Sequence, residues 1–222
     1  TTIGGAAFQG TENLTGVTLP SKLTTLGEDA FYMSGISGTL TIPEGVAEIG
    51  DYTFYDCKNL TSVKLPKTLV SIGEYAFRGC TGLHGNLRLP DKLTTIGYGA
   101  FYECSGLTGL TPGSELSSIG EFALQGCTGL QGKIVFGEKI TTIDAHAFYG
   151  CDGVSAFCFL GDAPTGKVYE NNTSRSFPEN AVIRYIEGKT GWKTGNYMYW
   201  KGYKLETWDG RVVKPIDEDE TP

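Results

Sequence analysis

The chain has 222 residues and carries 18 Lys and Arg against 25 Asp and Glu, for a net charge of −7. That balance lacks the basic footprint that nucleic acid or an anionic membrane surface requires, so no nucleic-acid partner is expected. No apolar run approaches the ~18 residues of a membrane span, which argues against membrane insertion.

Taken in order, the chain opens at Thr1-Thr2-Ile3, in the middle of a repeating unit. It reads as a mature or trimmed piece, with further repeats or a cap expected upstream. Ile3, Leu26, Ile49, Ile72, Ile96, Ile119 and Ile143 then recur at spacings of 23 or 24 residues. A period of this size is the signature of a solenoid whose units bury a core only by stacking. Within one unit, Leu60-Thr-Ser-Val-Lys-Leu-Pro66 alternates inward and outward as a strand and stops at a proline. Leu69 and Ile72 bury the ends of a second side. Gly73-Glu-Tyr-Ala-Phe-Arg-Gly-Cys80 forms a third, with Ala76, Phe77 and Cys80 inward. Short insertions (SGT, HGN and QGK) follow Ile36, Leu83 and Leu130. The fifth repeat reads LTGLTPGSEL, and its strand is expected to distort near Pro112.

The recurring pattern I-G-x-x-A-F-x-x-C-x-x-L-x-x-V-x-L-P, carried by Ile72, Gly73, Ala76, Phe77, Cys80 and their counterparts over residues 1–160, resembles the BspA-like class of bacterial leucine-rich repeats. The resemblance implies a right-handed, β-rich solenoid of about seven coils with parallel strands. It also implies a secreted or surface-anchored protein linked to adhesion, with no catalytic residues to carry over. Periodicity ends at Gly161. Residues 161–211 hold all 3 tryptophans and a G-D-A-P…G-W segment similar to the family's terminal unit, and read as a C-terminal cap. Residues 212–222, with Asp217-Glu-Asp-Glu220, read as an acidic linker or tail.

Five of the six cysteines (Cys57, Cys80, Cys104, Cys127, Cys151) fall in one repeat slot. Without short C-x-x-C spacing they read as a ladder of small buried hydrophobes rather than as metal ligands or disulfides. Cys158, between Phe157 and Phe159, is expected to point outward and be the most reactive thiol. His146 stands near Cys151, but a thiol buried in the ladder makes a poor nucleophile. No catalytic, cofactor or metal site is expected.

Three outward stripes remain. One is polar with cations at Lys64, Arg88 and Lys133. The second is a hydroxyl ladder of Thr24-Thr25, Thr94-Thr95, Ser117-Ser118 and Thr141-Thr142. The third is aromatic: Tyr32, Tyr55, Tyr102 and Tyr149 after the Phe slot, and Tyr52, Tyr75 and Phe122 before the Ala slot. Stacked tyrosines make efficient recognition surfaces for protein and sugar, although an aromatic there also shields the coil edge. The leading expectation is a non-enzymatic, extracellular or cell-surface module contacting a protein or glycan on a host or neighbouring cell. A spacer that presents another domain and a carbohydrate-binding module are the alternatives.

Overall fold

The computed structural model describes residues 1–164, 175–192, 199–200 and 203–210. Among these there is no helix; sixteen short strands and tight turns wind a solenoid. The anchor residues close seven two-residue strands: β1 (Thr2–Ile3), β2 (Thr25–Leu26), β4 (Glu48–Ile49), β6 (Ser71–Ile72), β8 (Thr95–Ile96), β10 (Ser118–Ile119) and β12 (Thr142–Ile143). β1 pairs with β2, and β4 to β12 form one parallel ladder with anchor opposite anchor.

The longer side of each coil supplies β3 (Gly38–Thr41), β5 (Leu60–Lys64), β7 (Gly85–Arg88), β9 (Leu107–Thr111), β11 (Gly132–Phe136) and β13 (Val154–Phe159). These pair in parallel as β3 with β5, β7 with β9 and β11 with β13. The three insertions explain the pairing by twos. Gly38, Gly85 and Gly132 adopt φ of 75°, 79° and 72°, and each pair shifts register immediately after that glycine. The unpaired residue is Thr61, Thr108 or Ser155 on the partner strand, and the left-handed glycine opposite it lets the ladder resume with inward side chains still inward. The strand of the fifth repeat is not distorted near Pro112. Beyond the irregularity at Thr108, β9 pairs residue for residue to Thr111, with Leu87 opposite Leu110, and ends where Pro112 lacks an N–H to donate.

The third side is a chain of turns rather than strands. Tyr52 N, Phe54 N and Asp56 N donate to the carbonyls of Glu74, Ala76 and Arg78 in the next coil at 2.8, 2.7 and 2.7 Å. Every coil repeats this pattern, which settles the buried backbone groups that a turn would otherwise leave open. One continuous core results. Phe31, Phe54, Phe77 and Phe101 stack with centroids 5.5, 5.0 and 5.2 Å apart, and none is exposed.

The cysteine ladder is built into this core. Cys57, Cys80, Cys104 and Cys127 each donate a thiol hydrogen bond to the carbonyl of the Phe one coil back, at 3.0–3.2 Å. Cys151 does the same to Leu124. All six cysteines are free and buried. Cys158 does lie opposite the inward Phe157 and Phe159, toward Arg184 and Lys133, whose charges act on it. It is nonetheless fully buried, because its strand lies inside the sheet between β11 and the next strand rather than at an edge. Burial outweighs those two charges and pushes its thiol up.

Parallel stacking continues past Gly161. β14 (Val182–Ile186) pairs with β13, β16 (Tyr203–Trp208) pairs with β14, and only β15 (Tyr199–Trp200) is antiparallel. Phe177 stacks on Phe148 at 5.9 Å and 10°, adding about one turn to the expected seven. Trp192 is buried, donates Nε1–H to the Gly161 carbonyl at 3.1 Å, and lies against Phe159 and Tyr185. The proposed acidic tail, 212–222, lies outside the described residues.

Candidate functional site

The hydrogen bonds of the third side require two left-handed residues in every turn. The second, after the Tyr32/Tyr55 slot, is Gly10, Gly79, Gly126 or Gly150 in four coils. The first is Tyr52, Tyr75, Phe122 or His146 in four coils, at φ of 54°, 50°, 59° and 55°. A bulky side chain there costs about 1–2 kcal/mol relative to an ordinary backbone. Gly99 fills the same slot in the fifth coil, so the turn forms with glycine. Backbone geometry therefore does not explain the aromatic residues; their rings have to.

Those rings form a continuous outer ladder. Tyr52 contacts Tyr75 at 5.5 Å, Tyr75 meets Tyr98 edge-on at 5.1 Å, Tyr98 meets Phe122 at 5.3 Å, and Phe122 stacks on His146 at 5.1 Å and 12°. A second row lies beside it. Tyr32 stacks on Tyr55 at 4.6 Å, and Tyr55 approaches Tyr52 at 5.9 Å. The guanidinium of Arg78 lies over Tyr55 at 4.8 Å and Tyr102 at 5.3 Å, donates to the Tyr55 hydroxyl, and reaches 6.0 Å from Tyr75. Tyr149, 55% exposed, meets the edge of His146 at 5.6 Å.

The structure thus gathers all seven aromatic residues singled out from sequence onto one face. It adds two that the pattern conceals. Tyr98 stands one residue before its expected slot because Gly99 occupies it, and Tyr75 leans over that glycine. Arg78 holds the tyrosine slot of the fourth coil, where a charge breaks the aromatic pattern. The interruption itself was the available signal.

Burial raises the pKa of two phenols on this face, Tyr75 and Tyr52. Burial, hydrogen bonding with Tyr98 and the charge of Glu74 push Tyr75 up to about 12. Burial first, then Glu74, raises Tyr52, whose hydroxyl donates to the Glu74 carboxylate at 3.5 Å.

The other two stripes separate. Lys64 and Arg88 occupy equivalent places on adjacent coils, but Gly109 and Thr111 of the fifth coil stand before Lys133. The three cations do not make one patch. The hydroxyl ladder is turned to structural use: Thr24, Thr94, Ser117 and Thr141 each donate to a carbonyl one coil back, at 3.0–3.2 Å. As for chemistry, Cys151 sits at about 12 through burial and offers no thiolate to His146. Among the described residues no three His, Cys, Asp or Glu side chains converge as metal ligands. No described helix is long and apolar enough to cross a membrane.

Sequence comparison matches the chain to the BspA type leucine rich repeat region, in 6 copies over residues 1–84 and 47–163. No curated protein matches it in sequence. Among solved structures, a leucine-rich repeat protein from Bacteroides ovatus is similar at 23% identity and a TM-score of 0.56, over 92% of this chain and 64% of that one. The T. pallidum leucine rich repeat protein is similar at 20% identity and 0.53, over 84% and 67%. The pneumococcal vaccine antigen PcpA is similar at 19% and 0.50, over 84% and 54%. These likenesses concern the fold, and the chain spans about two thirds or less of each of those chains.

Proposed function

The chain belongs to the BspA type leucine-rich repeat family, and from that premise we propose that it is a non-enzymatic binding module of an extracellular or cell-surface protein, contacting a protein on a host or neighbouring cell. The observation that carries the reading is the outer aromatic ladder held on left-handed backbone at Tyr52, Tyr75, Phe122 and His146. Aromatic residues are retained where glycine would form the same turn with less strain. Tyr and Arg are the residue types that anchor protein interfaces, since they offer area and hydrogen bonds at small entropic cost. The three cations of the strand side are left out of the proposed face. Family membership supports the extracellular location, the adhesive role and the absence of catalysis.

A glycan remains the second reading, favoured by one feature. A groove of about 490 Å³ between the last coil and the cap is lined by His146, Tyr149, Asp152, Arg175, Phe177 and Glu179, which places an exposed ring beside polar groups. The test is a panel of purified extracellular proteins alongside a glycan array, probed with the native chain and with a Tyr52→Ala/Tyr75→Ala double variant. Retention of a panel protein that the double variant loses supports the reading. Binding confined to glycans, or binding that the variant leaves intact, overturns it.

A further inference from the structure

The aromatic face is also where the chain concentrates acid. Asp51, Glu74 and Glu121 precede the first aromatic row in their turns, and Asp56 and Glu103 follow the second. Five carboxylates thus flank the two rows of rings, and the Arg78 guanidinium lies among those rings. Lys58 reaches Asp56 at 3.5 Å from an exposed position, while Lys64, Arg88 and Lys133 lie on the strand side.

Arg78 shows what such a face accommodates. Its guanidinium rests against the rings of Tyr55 and Tyr102 and donates to a phenol. Ring faces carry negative potential, and a cation over two of them gains more than at an open surface. Rings continue on both sides of this built-in cation. Tyr32 and Tyr55 stack toward the N-terminal side, with Asp56 next in the chain. Tyr98 and Tyr102 lie on the other side, with Glu103 next in the chain. Asp56 and Glu103 hold the same slot two coils apart, which is about 10 Å at the spacing of stacked strands.

Resting on the binding face proposed above, we infer that its partner is a cationic protein segment that lays two Lys or Arg side chains, about 10 Å apart, over the tyrosines on either side of Arg78. Charge complementarity assigns this occupant: rings alone would accept a neutral surface, but rings bordered by carboxylates repel an acidic one and draw a basic one. The chain's net charge of −7 steers the encounter in the same sense.

The probes are two fluorescently labelled, extended twelve-residue peptides, one with spaced Arg residues and one with Glu in their place, followed by fluorescence anisotropy at low and physiological salt. The Arg peptide should bind the native chain, weaken with added salt, and weaken roughly tenfold, about 1.4 kcal/mol, with an Asp56→Asn/Glu103→Gln variant. Both substitutions keep side-chain size, and Asn tolerates the left-handed backbone, so circular dichroism should match the native chain. A Tyr55→Ala/Tyr102→Ala variant should lose binding as well. Equal binding of both peptides, or an unchanged affinity in the carboxylate variant, overturns the inference. A panel protein lost in the Tyr52/Tyr75 variant but indifferent to the carboxylates leaves the binding face standing and removes only its cationic preference.

Discussion

Phe54 and Tyr55 are neighbours in the chain, yet each belongs to a different ladder. The inner ladder of Phe31, Phe54, Phe77 and Phe101 is wholly buried, with rings nearly parallel, at interplanar angles of 7°, 17° and 1°. The outer ladder is half-exposed, with contacts that range from stacked to edge-on, from 12° between Phe122 and His146 to 83° between Tyr98 and Phe122. Identical burial in every coil makes the inner rings repeat one another. The outer rings meet no such constraint, and they vary: Tyr, Phe, His and a displaced Tyr98 all occur. The inner ladder serves folding, and the outer ladder sits on backbone that opposes it.

The largest break of that comparison is Phe77→Ala. Emptying a fully buried site in mid-stack should cost about 3–5 kcal/mol. Denaturant unfolding should register this loss; a cost under about 1 kcal/mol, typical of a surface change, would show that the inner ladder does not hold the coils together.

Alkaline pH separates the ladders next. Burial holds Cys57 at about 11 and Cys151 at about 12, from an ordinary 9.0, and Tyr75 at about 12 from 10.0. The folded chain keeps protons that the unfolded chain sheds. Their contribution is present below pH 9 for the thiols and 10 for the phenol. It disappears as pH rises through 11 to 12. Stability should therefore fall across that window, and Tyr75→Phe should remove only the later portion. At pH 8, a thiol reagent should label none of the six buried cysteines until the chain unfolds. Rapid labelling of Cys158 would contradict its burial.

A smaller effect contrasts the two ends of the inner ladder. Phe8 stacks on Phe31 at 5.0 Å but remains 37% exposed, while Phe177 at the other end is fully buried beneath Tyr203. A coil with one neighbour lacks one interface, so it opens first. Hydrogen exchange should find the amides of Ala6, Phe8 and Gly10 faster than those of Tyr75, Phe77 and Gly79, although both sets bond to the next coil. Equal protection would place a seal on the first coil.

Most of the fold was legible because burial repeats. Each inward slot accepts one size class, so Ile, Phe and Cys recur at fixed steps and declare the coil. The left-handed glycines at the insertions were legible as insertions, though not as the cause of strand pairing by twos. Past Gly161 the continued stacking was not legible, although the run 181–186 reads as a strand and β14 lies within it. β14 and β16 stack like repeat strands, but their neighbours are Trp192 against Tyr185 and Tyr203 against Phe177, which differ from the residues of the repeat slots and so leave no repeat pattern. The hydroxyl ladder looked like a free surface because sequence does not show that Thr94 and Ser117 donate to the coil before. Arg78 and Tyr98 escaped notice because a half-exposed slot tolerates irregularity where a packed one does not.

The most direct test of the division between ladders is Tyr75→Gly, read for stability and for retention of a panel protein bound by the native chain. Glycine suits the φ of 50° at this position, and relief of backbone strain, about 1–2 kcal/mol, offsets the lost ring contacts. The account predicts unfolding free energy within about 1 kcal/mol of the native chain, together with at least roughly tenfold weaker binding. A loss of stability comparable to that of Phe77→Ala with binding unchanged would contradict it, and would make the outer ladder a second core.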